Sequence, residues 1–448
     1  MRFLSSLFLL ACLSSLHAAA KPNFIVIFTD DLGYGDIGCF GSETIKTPNI
    51  DSMAAEGMRF TDFYAQTVCG PSRAALMTGC YPLRVAIRNN EVDIHPVLHS
   101  EEVTIAEVLK DVGYSSIAIG KWDLAGHTQQ SSAKTKLWPD LFPLYQGFDE
   151  FFGTPTSNDS IVKLYRDNEL IEQKADLSQL TRRYTDEAIR FIKEKKDQPF
   201  FVYLAHSMPH VQLAVSEEFK GKSKGGLYGD VVEEIDWNVG RNLQTLKDEG
   251  LDENTYVIFT SDNGPWYFGN SKGHLKKFGD KWREHGGSAG DLRGAKTSTW
   301  EGGLRVPLVI RAPGKVPAGE TSSELVTTMD VLPTFAHLAG AEVPQDRVID
   351  GHDVSDLFLG KPDAKSPTEA LYYYRQTRLE GVRSGKWKLM LPAPANRDWA
   401  NYSKPEDHFE ITQPMLFNLE VDVAETHDVA AANPEIVQSL LKLAEHAR

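Results

Sequence analysis

The chain has 448 residues, 41 % of them apolar, with 62 acidic against 47 basic side chains and a formal net charge of −15. Such a length buries a large core and leaves room for more than one domain. The acidic surplus excludes a general affinity for nucleic acid or anionic lipid, so attraction for a polyanionic ligand has to come from a local group of cations.

Residues 1–20 carry one charge, Arg2, ahead of the apolar run Phe3 to Ala11, and end in Ala18-Ala19-Ala20. This is the pattern of a signal peptide cut after Ala20, and it predicts a secreted or periplasmic protein. Loss of Arg2 takes the formal charge from −15 to −16. A rival reading takes Leu9-Leu10-Ala11-Cys12 as a lipoprotein box with a lipid tether on Cys12; Leu10 fits that box imperfectly, so it ranks second. No later segment is apolar for long enough to span a membrane.

Four short apolar runs then each end in polar residues. Phe24 to Phe28 leads to Asp30-Asp31, and Ser116 to Ile119 to Gly120-Lys121. Phe200 to Leu204 leads to His206 and His210, and Tyr256 to Phe259 to Asp262-Asn263. A mostly parallel sheet presents a site in this way, at the carboxyl ends of its strands. Between the runs lie helical patterns: Val103, Ile105, Ala106 and Leu109 share a face before Gly113, and a longer helix from about Val231 to Leu246 buries Ile235, Val239 and Leu243. Alternation of this kind predicts an α/β fold, a large domain whose mostly parallel or mixed sheet is flanked by helices.

After Val306 to Ile310 and a helical stretch around Asp330 to Thr334, the polar run Gly360 to Pro367 marks a change of texture. Strand-like pieces follow at Leu371 to Tyr374, Gly381 to Arg383, Trp387 to Met390 and Leu416 to Leu419, and an amphipathic helix from Pro434 closes the chain. The expected division is a signal peptide over 1–20, a large domain over 21–365 and a smaller C-terminal antiparallel sheet with a helix over 366–448.

Asp30-Asp31 and Asp262-Asn263 are hard oxygen donors with no Cys/His cluster nearby, which suits Ca²⁺ or Mg²⁺ better than zinc. Taken singly, each pair is also a common turn sequence. The stretch Cys69-Gly70-Pro71-Ser72-Arg73 places a thiol at a helix start, where anions are attracted, with Arg73 four residues on. That is a nucleophile beside an anion clamp; the plainer alternative is a buried structural thiol. Cys39 and Cys80 either pair or stay free.

Cys69-Gly70-Pro71-Ser72-Arg73 followed by Leu76-Met77-Thr78-Gly79 resembles the signature of the type I sulfatases, with Cys80 where that pattern has an arginine. The run Leu292 to Pro307 resembles the consensus around the family's second catalytic lysine, here Lys296. Val382 to Leu389 and Leu416 to Leu419 resemble its carboxyl-terminal region, so the likeness covers essentially the whole mature chain. It implies an alkaline-phosphatase-like fold and a Cys69 oxidised by a maturation enzyme to formylglycine, whose hydrate is the nucleophile. It further implies one calcium held by Asp30, Asp31, Asp262, Asn263 and the modified residue 69.

The same resemblance puts Arg73, Lys121 and Lys296 on the sulfate oxygens and makes His210 the general acid, with Lys296 able to share that work. Ser157 matches a sulfate-contacting serine, whereas His206 reads as structural, bonded to a partner at its strand end. One departure stands out: the family continues Gly-Lys-Trp with His-Leu-Gly, and this chain has Gly120-Lys121-Trp122-Asp123-Leu124-Ala125-Gly126-His127. Either Asp123 acts as base on the hydrate, or His127 fills the vacancy, or turnover is impaired.

The expected reaction is hydrolysis of a sulfated carbohydrate or aryl sulfate ester through a covalent sulfo-enzyme. Two competing readings are a phosphate or phosphonate ester hydrolase of the same superfamily and a sulfosugar-binding homologue that has lost turnover. Selectivity is expected from the loop Trp266 to Gly290, with Lys272, His274, Lys276, Lys277, Arg283 and His285, which either reads sugar hydroxyls and sulfates or is only a solvated loop. Tyr373, Arg375 and Arg378 are further candidates if the smaller domain faces the cleft.

Overall fold

The structure, a computed structural model, describes residues 21–85, 98–129, 134–158, 161–266, 286–395 and 407–447. The expectations placed on Cys12, on the signal peptide, on His285 with the other basic residues of its loop, and on the side chain of His127 lie outside the described residues.

The first strands are β1 (Asn23–Thr29), β2 (Met58–Tyr64) and β3 (Ser115–Lys121), followed by a small pair, β4 (Gly126–Gln129) and β5 (Lys134–Leu137). Next come β6 (Glu150–Thr154), β7 (Leu164–Arg166), β8 (Glu169–Glu172) and β9 (Phe200–Ala205). The strands β10 (Thr255–Ser261), β11 (Arg305–Arg311), β12 (Glu320–Ser322) and β13 (Val326–Thr327) complete the large sheet. Its order is β12-β2-β11-β10-β1-β9-β3-β6-β7-β8, with β13 also on β2. The four apolar runs are the four central neighbours, β10, β1, β9 and β3, all parallel. Antiparallel β11 on one side and β7 on the other make the sheet mixed.

Every residue of β1 is buried, because the sheet is covered on both faces. Phe24, Val26 and Phe28 feed one core with the helices Ile105–Lys110 and Val331–Ala339. Ile25 and Ile27 feed the opposite core with the helices Leu177–Lys195 and Gly226–Asp248. The period of two along one strand thus builds two cores. The helix expected from Val231 runs longer, from Gly226, and buries Ile235, Val239 and Leu243 as anticipated. Val103 lies ahead of its helix, because Thr104 caps it in a capping box with Glu107.

Gly120 has φ +95°, and a Cβ there would stand 1.8 Å from the Ala205 carbonyl oxygen, so only glycine lets β3 lie this close to β9 one residue before Lys121.

The C-terminal strands β14 (Leu371–Arg375), β15 (Arg378–Ser384), β16 (Trp387–Met390) and β17 (Met415–Asn418) form one antiparallel sheet in sequence order. The helix Pro434–His446 packs Leu440 and Ala444 on one face of it, against Val382, Leu389 and Leu416. No helix among the described residues is long and apolar enough to cross a membrane.

Candidate active site

The carboxyl ends of β1, β3 and β10 deliver Asp30-Asp31, Lys121 and Asp262-Asn263 to one place. The helix Cys69–Thr78 starts there with Cys69 as its first residue and ends at Gly79, left-handed at φ +70°. Pro71 falls in the first turn, where its missing N–H leaves no gap in the helix. Three non-glycine residues beside site side chains hold left-handed backbone: Asp31 (φ 64°), Asp123 (φ 56°) and Thr297 (φ 76°). Each such conformation costs about 1–3 kcal/mol and is tolerated where the surroundings enforce it. At Thr297 the enforcement is visible: its N–H donates to the Thr67 carbonyl at 2.8 Å, and the Lys296 N–H to that of Pro265 at 3.0 Å.

The Cys69 thiol donates to Asp30 Oδ1 at 3.3 Å and receives Lys296 Nζ at 3.2 Å. Lys296 Nζ also lies 2.7 Å from Asp31 Oδ1. His210 Nε2 approaches the other oxygen of Asp31, at 3.6 Å, while Nδ1 meets the Val211 carbonyl. Lys121 Nζ lies 2.8 Å from Asp30 and 3.5 Å from Asp123. Arg73 donates to Asp262 at 2.8 Å, to the Lys121 carbonyl at 2.7 Å and to the Tyr203 hydroxyl at 3.3 Å.

Burial alone would push the Asp30 carboxyl up, but Lys121, His210, Arg73 and Lys296 hold it well below the usual carboxylate range. Burial and the charge of Asp30 push Asp262 in the opposite direction, upward, despite Arg73. The Cys69 thiol is pushed well above an ordinary thiol by burial and by Asp30, which Lys121 and Lys296 only partly offset. As it stands the sulfur is therefore a neutral thiol and a poor nucleophile.

The donor set fits a hard cation. Ligand atoms of Asp30, Asp31, Cys69 and His210 lie within 4.8 Å of one another, all buried. Asp31 Oδ2 and Asn263 Oδ1 are buried oxygens that find no hydrogen-bond donor among the described residues, and a buried acceptor left bare in this way is expensive. Asn263 is turned so that its amide nitrogen donates to Asp31 at 2.7 Å, and Asp262 Oδ1 accepts from the Asp31 N–H at 3.1 Å. All four oxygen residues expected from the sequence therefore share one locus.

Other expectations fare differently. Arg73 is fully buried and its Nη1 and Nη2 donors are turned on Asp262, Tyr203 and a carbonyl, so it orders the carboxylates rather than standing open to an anion. Ser157 is buried, and its hydroxyl finds no hydrogen-bond partner among the described residues. His206 is buried at its strand end, but neither ring nitrogen finds the expected hydrogen-bond partner among the described residues. Tyr373 does not face a cleft: it is sealed in the interior, donating to Glu301 at 2.9 Å. Arg378 and Arg375 are turned on Glu380. Cys39 and Cys80 are not bridged. Sequence reasoning missed Tyr203, a polar tip in an otherwise apolar strand, and gave Trp266 no role beyond starting a loop, although its indole lies 5.0 Å from both Lys296 Nζ and the His210 ring.

The family model described as Sulfatase matches residues 22–341. The chain belongs to the sulfatase family. A second model, for the C-terminal region of N-sulphoglucosamine sulphohydrolase, matches residues 295–439 of this sulfatase and so takes in the Lys296 loop with the small sheet. The chain is 32 % identical to human steryl-sulfatase over 528 aligned residues, covering 96 % of itself and 88 % of that protein. Against dog N-acetylgalactosamine-6-sulfatase the figures are 34 % over 479 residues, 97 % and 86 %. Among solved structures it superposes at a TM-score of 0.82 and 27 % identity on a Bacteroides thetaiotaomicron protein described in connection with the metabolism of multiple glycosaminoglycans, covering 96 % of this chain and 99 % of that one. The PsFucS1 sulfatase from Pseudoalteromonas sp. gives 0.81 and 27 %, over 95 % and 90 %. The phosphonate monoester hydrolase of Agrobacterium radiobacter, at 0.61 and 20 % over 95 % of each chain, shares the fold alone. This sulfatase is an enzyme that hydrolyses sulfate esters.

Proposed function

We propose that this sulfatase cleaves the sulfate ester of a sulfated carbohydrate, with residue 69 converted by a maturation enzyme from cysteine to formylglycine and one calcium ion held by Asp30, Asp31, Asp262 and Asn263. The observation that carries the reading is the setting of Cys69: first in its helix, between Asp30 and Lys296, and buried as an un-ionised thiol. A carbohydrate substrate is supported by relatives named for N-acetylgalactosamine 6-sulfate and glycosaminoglycans. In this reading a signal peptide over 1–20 sends the enzyme out of the cytoplasm, residues 21–365 carry the chemistry and 366–448 buttress it.

Calcium and the hydrated aldehyde, when present, supply an oxygen nucleophile at neutral pH, which a buried thiol does not. The chain's own side chains do the rest. Lys121 and Lys296 face residue 69 and neutralise the non-bridging sulfate oxygens as charge builds on them. His210, whose Nδ1 donates to the Val211 carbonyl and whose Nε2 faces Asp31, hands a proton to the departing alcohol when the ring is charged, and Lys296 is the second donor within reach. Arg73 keeps Asp262 turned towards Asp31. Without His210, three cations, Arg73, Lys121 and Lys296, meet four carboxylates, Asp30, Asp31, Asp123 and Asp262, a net charge of −1 that a bound dication would turn positive and so favourable to a sulfate monoanion.

Peptide mass spectrometry of active protein tests this, together with metal analysis and sulfate release from defined sulfated monosaccharides. An aldehyde at residue 69, one calcium per chain and released sulfate are expected; an intact thiol there in fully active material sinks the proposal.

A further inference from the structure

Trp266 borders the buried cluster. The ligand-bearing residues Asp30, Asp31 and Cys69 are at most 2 % exposed, and His210 and Lys296 at most 5 %. Trp266 is only partly buried. Its ring meets the His210 ring edge-on at 5.0 Å between centroids, and Lys296 Nζ lies 5.0 Å from its centroid. These two side chains are the proton donors available to the leaving oxygen. Such an oxygen must come within about 2.6–3.2 Å of one of them to be protonated, which brings the carbon skeleton attached to it within van der Waals reach of the indole.

We propose that the Trp266 indole is the wall against which the ring of the departing alcohol packs, so that this sulfatase selects sulfate esters of cyclic sugar alcohols over acyclic ones. The inference rests on the sulfated-carbohydrate reading and adds the residue that enforces it. An aromatic wall with a few convergent polar groups is how ring ligands are held in general: the apolar C–H face of a pyranose packs on the indole while its hydroxyls keep other partners. Two proton donors beside that wall suit an alkanol better than a phenol. A phenol with a pKa near 10 leaves without help, whereas an alkanol close to water's ~15.7 needs the proton.

The test compares the full-length protein with Trp266→Ala and Trp266→Phe on three esters: a methyl hexopyranoside 6-sulfate, 2-hydroxyethyl sulfate, and 4-nitrophenyl sulfate. With Trp266→Ala, KM for the pyranoside is expected to rise about three- to tenfold more than KM for 2-hydroxyethyl sulfate. Trp266→Phe should recover most of that difference. Equal losses on cyclic and acyclic esters overturn the proposal, because the indole then only orders His210 and Lys296. A larger loss on the aryl ester than on the pyranoside overturns the choice of a sugar. Calorimetric binding of the pyranoside sulfate to calcium-loaded Cys69→Ala protein, with and without Trp266→Ala, separates this from the underlying reading. If the unaltered enzyme releases no sulfate from sugars, the carbohydrate assignment fails on its own; Trp266 is then upheld only if its loss still weakens binding of the ring ester selectively, and falls if it does not.

Discussion

Lys388 on β16 places its ammonium 3.0 Å from a carboxylate oxygen of Glu301, and both side chains are sealed from water. The same ammonium donates to the Thr299 carbonyl at 2.9 Å and meets Glu425 at 2.7 Å. Glu425 in turn accepts from the Glu301 N–H at 2.7 Å. The small sheet thus grips the strip Thr299 to Glu301 that follows Lys296. Burial would raise the Glu301 carboxyl, but Lys388, Arg305 and Arg383 hold it below the usual carboxylate range.

Lys388→Met is expected to destabilise the protein by about 3–5 kcal/mol, since it strands two buried carboxylates while keeping much of the side-chain volume. Denaturant unfolding checks the magnitude. Turnover of the remaining folded protein should fall too, because the Lys296 strip loses an anchor. Unchanged stability would mean that Tyr64, Tyr373 and the neighbouring arginines suffice to hold Glu301.

Lys296→Ala removes a cation lying 3.2 Å from the residue 69 side chain and 2.7 Å from Asp31. The expected loss in kcat/KM is about 10²–10⁴-fold on a sugar sulfate. It should be smaller on 4-nitrophenyl sulfate, whose leaving group needs less protonation. A loss independent of the leaving group would restrict Lys296 to sulfate binding and leave His210 as sole acid.

Asp123, which stands where the resemblance to the sulfatase motif expects a histidine, lies 3.5 Å from Lys121 Nζ. If its carboxylate takes the proton in the second half of the reaction, Asp123→Asn should still release alcohol in an initial burst and then turn over at least tenfold more slowly. Rapid-quench measurement with 4-nitrophenyl sulfate shows this directly. Loss of burst and steady state together would place Asp123 in the arrangement of Lys121 instead.

Burial lowers the His206 imidazole from its ordinary 6.5 to about 4. The unfolded chain takes up this proton as pH falls through 6.5 and the folded one only near 4, so the stability His206 contributes is full above 6.5 and drains away towards 4. Linkage sets the loss at about 3 kcal/mol, from roughly 1.36 kcal/mol for each pH unit of displacement. His206→Phe should flatten the fall in melting temperature between pH 6.5 and 4. An equally steep fall in the variant would assign the acid sensitivity to the aspartate cluster.

Local pattern alone determined the four central strands, the polar residues at their carboxyl ends, the four strands of the small sheet and its closing helix, because alternation and β-branched runs act over a few residues. It also showed Asp30, Asp31, Lys121 and Asp262 as polar residues at strand ends and Cys69 as a thiol at a helix start, whereas the chemistry expected of Cys69, and Lys296 altogether, came from the resemblance to the sulfatase motifs. What only the tertiary structure decided is which groups meet. Strand order is a matter of long-range pairing, so the turning of Arg73 onto Asp262, 189 residues away in sequence, has no local signal. The burial of Tyr373 and Lys388 on Glu301 depends on how two sheets dock, and the place of Trp266 beside His210 and Lys296 on three loops converging over one end of the sheet. Chemistry-bearing residue types are written in the chain; their partners are set by packing between segments far apart along it.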